Sequence, residues 1–273
     1  MHARLGLFAI CATVPISTAA FAGVTLKMEG DRSQTIYLQG NKMRIEMGGK
    51  AGVESVVIFD GDSQQLITIN PSDKTYSLMT RENLSEMGKR RDEAMAKMSP
   101  EQRKQMDEAL AKMPPEQRKQ MEQMISGGSG APKSKEDKKK SEDNIKWEQT
   151  GQKQTVAGFR CEGFKELKDG KVDAQGCYIP WSAGAMNKED LAPFIKLQEF
   201  FAQSGIGGRE LSDQTFTRIA KMPGFPGTWT HVSESGQAER KEALSSVQRG
   251  NVSADKFTPP AGYTKTEQPG MKH

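Results

Sequence analysis

Between Val24 and Met79, apolar and polar residues alternate in short runs. VTLKMEG, SQTIYLQ, NKMRIEM, SVVIFDG, QQLITIN and KTYSLMT are each of strand length, and Met43, Ile45 and Met47 share one face. Gly30-Asp31, Gly40-Asn41, Asp60-Gly61-Asp62 and Asn70-Pro71-Ser72-Asp73 separate the runs with turn chemistry. Consecutive strands with such short connections predict an antiparallel meander, apolar on one face and wet on the other.

From Arg81 to about residue 126 the pattern changes to Glu, Gln, Lys, Arg, Ala and Met, all good helix formers. MSPEQRKQM at Met98–Met106 returns as MPPEQRKQM at Met113–Met121. Pro100 and Pro115 suit the first helical position, where no N–H is needed, and Glu101 and Glu116 fall in the favourable first turn. Gln102 completes a capping box with Ser99. The segment 81–126 therefore reads as three short helices hinged near residues 99 and 114. Leu84, Met87, Met95, Met98, Met106 and Ala109 recur at intervals of three and eight. At ~100° per residue they occupy an arc of about 100°, a narrow apolar stripe on a charged surface.

Residues 127–144, GGSGAPKSKEDKKKSEDN, carry no apolar pattern and read as a disordered charged linker. Strand texture resumes at Trp147 and runs to Trp181. Asn187–Gln203 is helical in character, with Leu191, Phe194, Ile195 and Phe201 apolar and Gly205 placed to stop it. A weaker helix is predicted over Ser212–Lys221, then strands near Thr228–Val232 and Glu239–Gln248. Ten or so short strands are too many for two small sandwiches. One α+β domain over 23–268, interrupted by the helical insert and the linker, is more economical: a single curved sheet with helices against its apolar face.

CEGFKELKDGKVDAQGC joins Cys161 to Cys177 around Lys168-Asp169-Gly170. A three-residue hairpin loop with glycine last pairs Leu167 with Lys171 and sets the two cysteines directly opposite each other. Cross-strand Cα separations of about 4.5–5.5 Å suit a disulfide. Closing a loop of this size is worth roughly 3 kcal/mol in the chain-entropy model. Such a bond requires an oxidising compartment, and the N-terminus agrees with that. Arg4 precedes an apolar run over Leu5–Ile16, and Ala20-Phe21-Ala22 offers a small-x-small cleavage site, so residues 1–22 read as a signal peptide cleaved after Ala22. The mature chain is expected in the periplasm or secreted, without a transmembrane segment.

A net charge of +4 with both signs interspersed argues against a nucleic-acid partner. His231 is the one histidine away from the ends, and the chain has no H-E-x-x-H, P-loop or nucleophile elbow. No catalytic residue, metal ligand set or cofactor is predicted.

Gly40-Asn41-Lys42-Met43-Arg44-Ile45-Glu46, Asp73-Lys74-Thr75-Tyr76, the Met-rich PPEQR insert, Thr155-Val156-Ala157-Gly158-Phe159-Arg160-Cys161-Glu162 and the closing Phe257…Pro260-Ala261-Gly262-Tyr263 appear in this order. The set resembles the bacterial envelope family known as domain-of-unknown-function family 4412. That family in turn is similar to the superfamily of the outer-membrane lipoprotein carriers LolA and LolB. The resemblance implies a strongly bent antiparallel sheet, an unclosed β-barrel, whose concave apolar face is covered by helices and can take an acyl chain. On this reading Met87, Met95, Met98, Met106, Leu110 and Met113 line the lid, with Phe194, Leu197 and Phe201 on the second helix. The expected function is that of an exported non-enzymatic binding protein, its partner an apolar ligand or an envelope lipoprotein. Two alternatives use the same methionines: a copper handler or oxidant sink, or an interaction module that docks through the helical lid.

Overall fold

The computed structural model describes residues 23–31, 33–49, 52–113, 145–202, 221–233 and 236–267. Six strands come first: β1 (Gly23–Gly30), β2 (Gln34–Gln39), β3 (Lys42–Gly49), β4 (Gly52–Asp60), β5 (Gln65–Asn70) and β6 (Thr75–Thr80); β1, β2, β4 and β5 end at turns the sequence marks. Two helices follow, α1 (Arg81–Lys97) and α2 (Pro100–Ala111). After residues 114–144 come β7 (Ile145–Val156), β8 (Phe159–Lys168) and β9 (Lys171–Pro180), then α3 (Ala192–Ala202). β10 (Gly224–Val232), β11 (Ala238–Gly250) and the short β12 (Thr264–Thr266) complete the order.

All twelve strands form one sheet in the order β12-β6-β5-β4-β3-β2-β1-β11-β10-β9-β8-β7. β1 pairs with β11 from Gly23↔Gly250 to Gly30↔Glu242, so strands from before and after residues 114–144 share one hydrogen-bonded surface. Two expectations about the sheet are corrected. It is mixed rather than antiparallel, because β12 runs parallel to β6. It is also open and not strongly curled, with β12 and β7 as its edges. Apolar clusters lie on both faces across β3–β5.

The larger apolar cluster lies on the face that bears α3. It joins Leu26, Leu38, Met43 and Phe59 on the strands to Leu191 and Phe200. The predicted wet face is corrected as well. Val56, Ile58 and Ile69 point to the opposite side, where Val252 and Phe257 bury them. The chain leaving β11 crosses this second face as a strap. Val252 N–H donates to Gln39 Oε1 (2.7 Å), a 3-10 turn spans Ala254–Phe257, and Thr264 N–H donates to Lys74 O (2.9 Å) as β12 begins. In the sequence the uninterrupted Val56-Val57-Ile58-Phe59 run marks a strand buried on both sides.

The disulfide is present, but its register differs from expectation. Lys168 pairs with Lys171, so the turn is the two-residue Asp169-Gly170, with φ of +53° and +79°. That left-handed pair is the geometry of a type I′ turn, which glycine adopts without steric cost. An extra residue, Asp173, then bulges from β9, and Cys177 comes to face Gly163. Cys161 is bonded diagonally to Cys177, with Cα atoms 5.4 Å apart.

Candidate functional site

α3 begins after a 3-10 turn over Lys188–Leu191, whose Asn187 and Asp190 form a capping box. Arg249 of β11 holds this turn by donating through Nη1 to Asp190 Oδ2 (2.9 Å) and through Nη2 to Oδ1 (3.4 Å). A planar guanidinium matches a carboxylate in this two-pronged way, which fixes the angle at which the helix meets the sheet. α3 lies over β3 and β4. Phe200 is fully buried with its ring 5.6 Å from Phe59 and 5.4 Å from Phe201.

Phe194, Leu197 and Phe201, expected to face a ligand, are half-buried and pack against the main cluster. At about 100° per residue Ile195 lies on the far side of α3 from Leu197, and it is 45% exposed. The anchor of the helix is Phe200, which the sequence reading did not single out. Its signal was its spacing of three and six residues from Leu197 and Phe194 along one helical face.

The methionine-bearing helices sit differently. α1 leaves β6 without a loop, and Asn83 Oδ1 accepts from both the N–H and the hydroxyl of Thr80. Leu84 enters the main cluster. Beyond it, Met87 and Met98 are half-buried. The capping box at the start of α2 is formed, with Ser99 N–H donating to Gln102 Oε1 and Gln102 N–H to Ser99 Oγ. Leu110 is buried, and Met113 is half-buried just past the helix. The side chains of Met95 and Met106 lie outside the described residues. The expected third helix, the linker, the signal segment and the helix over Ser212–Lys221 fall outside them as well, save Lys221 itself. Among the described residues no three His, Cys, Asp or Glu side chains gather as a metal site requires. Nor is any described helix long and apolar enough to cross a membrane.

On the strap-bearing face a partly buried polar group lies beside the second apolar cluster. Arg44 Nε donates to Glu46 Oε1 (2.7 Å) and Arg44 Nη1 to the Lys256 carbonyl (3.1 Å). Tyr37 Oη donates to Glu46 Oε2 (3.4 Å), and the Lys256 ammonium stands 5.0 Å from the Tyr37 ring centre. Burial raises the Tyr37 phenol above its ordinary 10.0, and the adjacent Glu46 adds to this, while Arg44 opposes it. The group fastens the strap to β3. At the β4–β5 turn, burial pushes the Asp60 carboxyl up. Lys42 and the N–H groups of Ser63 and Asp62 outweigh that and hold it below its ordinary 3.8.

Among the described residues, two clefts border this sheet. One, of about 400 Å³, lies between the β2–β3 turn and the strap and is lined by Gln39, Asn41, Lys42, Asp62, Val252 and Phe257. The other, of about 340 Å³, lies where the β7–β8 hairpin leaves β9 and is lined by Lys153, Thr155, Arg160, Cys161, Glu162 and Pro180. Neither lies beneath α3.

No curated protein matches the chain. Among solved structures it is similar to an uncharacterized conserved protein from Thermus thermophilus, at 5% identity and a TM-score of 0.42, over 91% of each chain. It is also similar to a chain of the Pseudomonas aeruginosa MucA/MucB complex, at 10% identity and a TM-score of 0.35. That match takes in 89% of this chain, and the chain spans 57% of that one. A structure of MucB with MucA(peri) gives 8% identity and a TM-score of 0.35, with 89% of this chain and 56% of that chain covered. Residues 23–104, from β1 into the first turn of α2, match the model of a family described as Domain of unknown function (DUF4412).

Proposed function

We propose that this is an exported, non-enzymatic binding protein that holds an apolar ligand against the α3-bearing face of its sheet. The ligand is an acyl chain or an apolar segment of an envelope protein. The observation that carries the reading is the rim of half-buried apolar side chains around the sealed core on that face, among them Ile36, Ile45, Val57, Phe194, Leu197 and Phe201. Twelve strands at ~4.8 Å spacing extend roughly 50 Å across, whereas an eleven-residue helix is only about 16 Å long. α3 therefore spans only part of that width, and the half-buried side chains beside it are the surface the ligand would meet. Covering about 300 Å² of such surface is worth roughly 7–8 kcal/mol before the entropic cost of association. The disulfide supports export, because such bonds persist in oxidising compartments.

Purification without detergent followed by native mass spectrometry tests the reading, together with titration of a fluorescent fatty acid. An amphiphile should co-purify, and the probe should bind. Leu197→Asp should abolish binding while Ile195→Asp, on the outward side of α3, leaves it intact. Absence of both co-purified amphiphile and probe binding refutes the proposal.

A further inference from the structure

β8 pairs with β9 only from Lys168 to Glu162; past that point it pairs with β7 alone, through Cys161↔Gln154, Arg160↔Thr155 and Phe159↔Val156. The hairpin tip thus projects beyond the ladder that holds the rest of β8. It also bends. β7 carries three unpaired residues, Thr150 to Gln152, between the pairs Gln149↔Phe164 and Lys153↔Glu162. This bulge folds over Gly163, where a methyl group would lie 2.3 Å from Thr150 Oγ1 and 3.1 Å from Gln152 Cβ. Only glycine permits that approach, so the bend is written into the chain.

The bend brings the tip over the core. Val156, Ala157 and Phe159 pack against the main apolar cluster at its edge, and β7 reaches β11. Gln154 Nε2 donates to Thr228 Oγ1 (3.3 Å) on β10, passing over β9. Among the described residues, the tip is tied to the body by this bond, the apolar contact and Cys161–Cys177. Ordinary diagonal neighbours stand about 7–8 Å apart, and here the Cα atoms are 5.4 Å apart although the ladder has ended. Both cysteines are buried in the main cluster, and Cys161 also borders the ~340 Å³ cleft.

From these observations we infer that the β7–β8 tip is a flap over one end of the apolar face and that the disulfide is its reducible latch. A dithiol is the reductant. One of its thiolates attacks Cys161 Sγ, the S–S bond breaks and Cys177 leaves as a thiolate. The second thiol of the reagent then displaces Cys161, so two electrons and two protons pass to the pair and the dithiol becomes a disulfide. The freed tip swings about the Gly151–Gly163 bend and uncovers the apolar surface beneath Val156 and Phe159. The flap motion stands on geometry alone; its role as a gate rests on the binding function proposed above.

Hydrogen exchange tests the latch on the full chain without any ligand, comparing the oxidised protein, the protein reduced by dithiothreitol and the C161S/C177S variant. Cutting the bond should speed exchange at residues 153–161 at least tenfold relative to β3–β5. An unchanged ratio overturns the inference, as does a parallel rise in both regions, which makes the bond a staple of the whole fold. If the variant does not fold, the reduced wild-type chain carries the test. A fluorescent fatty acid titrated into both redox states separates the two proposals. Probe binding without a change in the exchange ratio removes the flap, whereas a freed flap with no binding in either state removes the ligand reading alone.

Discussion

In β4, Val56, Ile58 and Phe59 are each no more than 2% exposed, whereas every residue of β7 from Glu148 to Thr155 is exposed. Both are strands of one sheet. β4 is central, with α3 on one face and the C-terminal strap on the other, so burial on both sides fixes it. β7 is an edge, its sequence is polar, and its free side offers unpaired backbone groups. The bulge and the Lys residues along it are features that discourage another strand from adding there. A covalent bond from β8 to β9 near the tip of its hairpin adds to the little apolar burial that β7 has. Where the sheet has two layers the chain needs no link, and where it has at most a partial layer it has one.

The largest test of this contrast is Phe200→Ala, which empties the space between α3 and Phe59. A loss of ~3–5 kcal/mol in urea unfolding is expected, and a loss under ~1 kcal/mol would show that α3 is not what seals β4. A smaller effect follows from Arg44→Met, which removes the tie to the Lys256 carbonyl and leaves Glu46 half-buried without its cation. About 2 kcal/mol is expected, with R44M/E46L recovering at least half, since an apolar pair can replace a partly buried ion pair. Failure of the double variant to recover stability would mean that the strap depends on the charge itself.

The smallest effect is acid sensitivity at the β4–β5 turn. Asp60 has a folded pKa below its ordinary 3.8, so its contribution is fully present above 3.8 and is lost as pH falls through the lower folded value. Asp60→Asn should flatten the stability profile in that acid window and leave the slope at neutral pH unchanged. An unaltered acid limb in thermal melts at about pH 2–4 would remove Asp60 from the account.

Much of the first half could be read in advance. Each of the six predicted runs before Met79 became a strand within a few residues of its expected bounds, because a half-buried strand needs alternation and a turn needs Gly, Asn, Asp or Pro. The Ser99–Gln102 capping box was equally legible, since all of its partners lie within one helical turn. The cysteine pairing could be read, but its register could not. The count outward from the turn missed one residue at the turn itself and another at the Asp173 bulge, and neither has a strong local signal. The candidate site was legible only in part. Phe194, Leu197 and Phe201 do meet the core, but periodicity alone did not distinguish Phe200 as the residue that plugs it. The strap was not foreseen, because Val252 and Phe257 are far in sequence from the β4 residues they bury.

Local chemistry determined the elements: which segments extend, which coil into helices, where turns fall, and that two cysteines of this spacing would meet. Those outcomes depend on neighbours within a few residues, and composition is enough to bias them. The tertiary structure alone decided that the second face is covered, that β12 runs parallel, and that the sheet stays open instead of curling around a hollow. These depend on which distant segment reaches a given surface first and fills it, a competition among packings that no local pattern encodes.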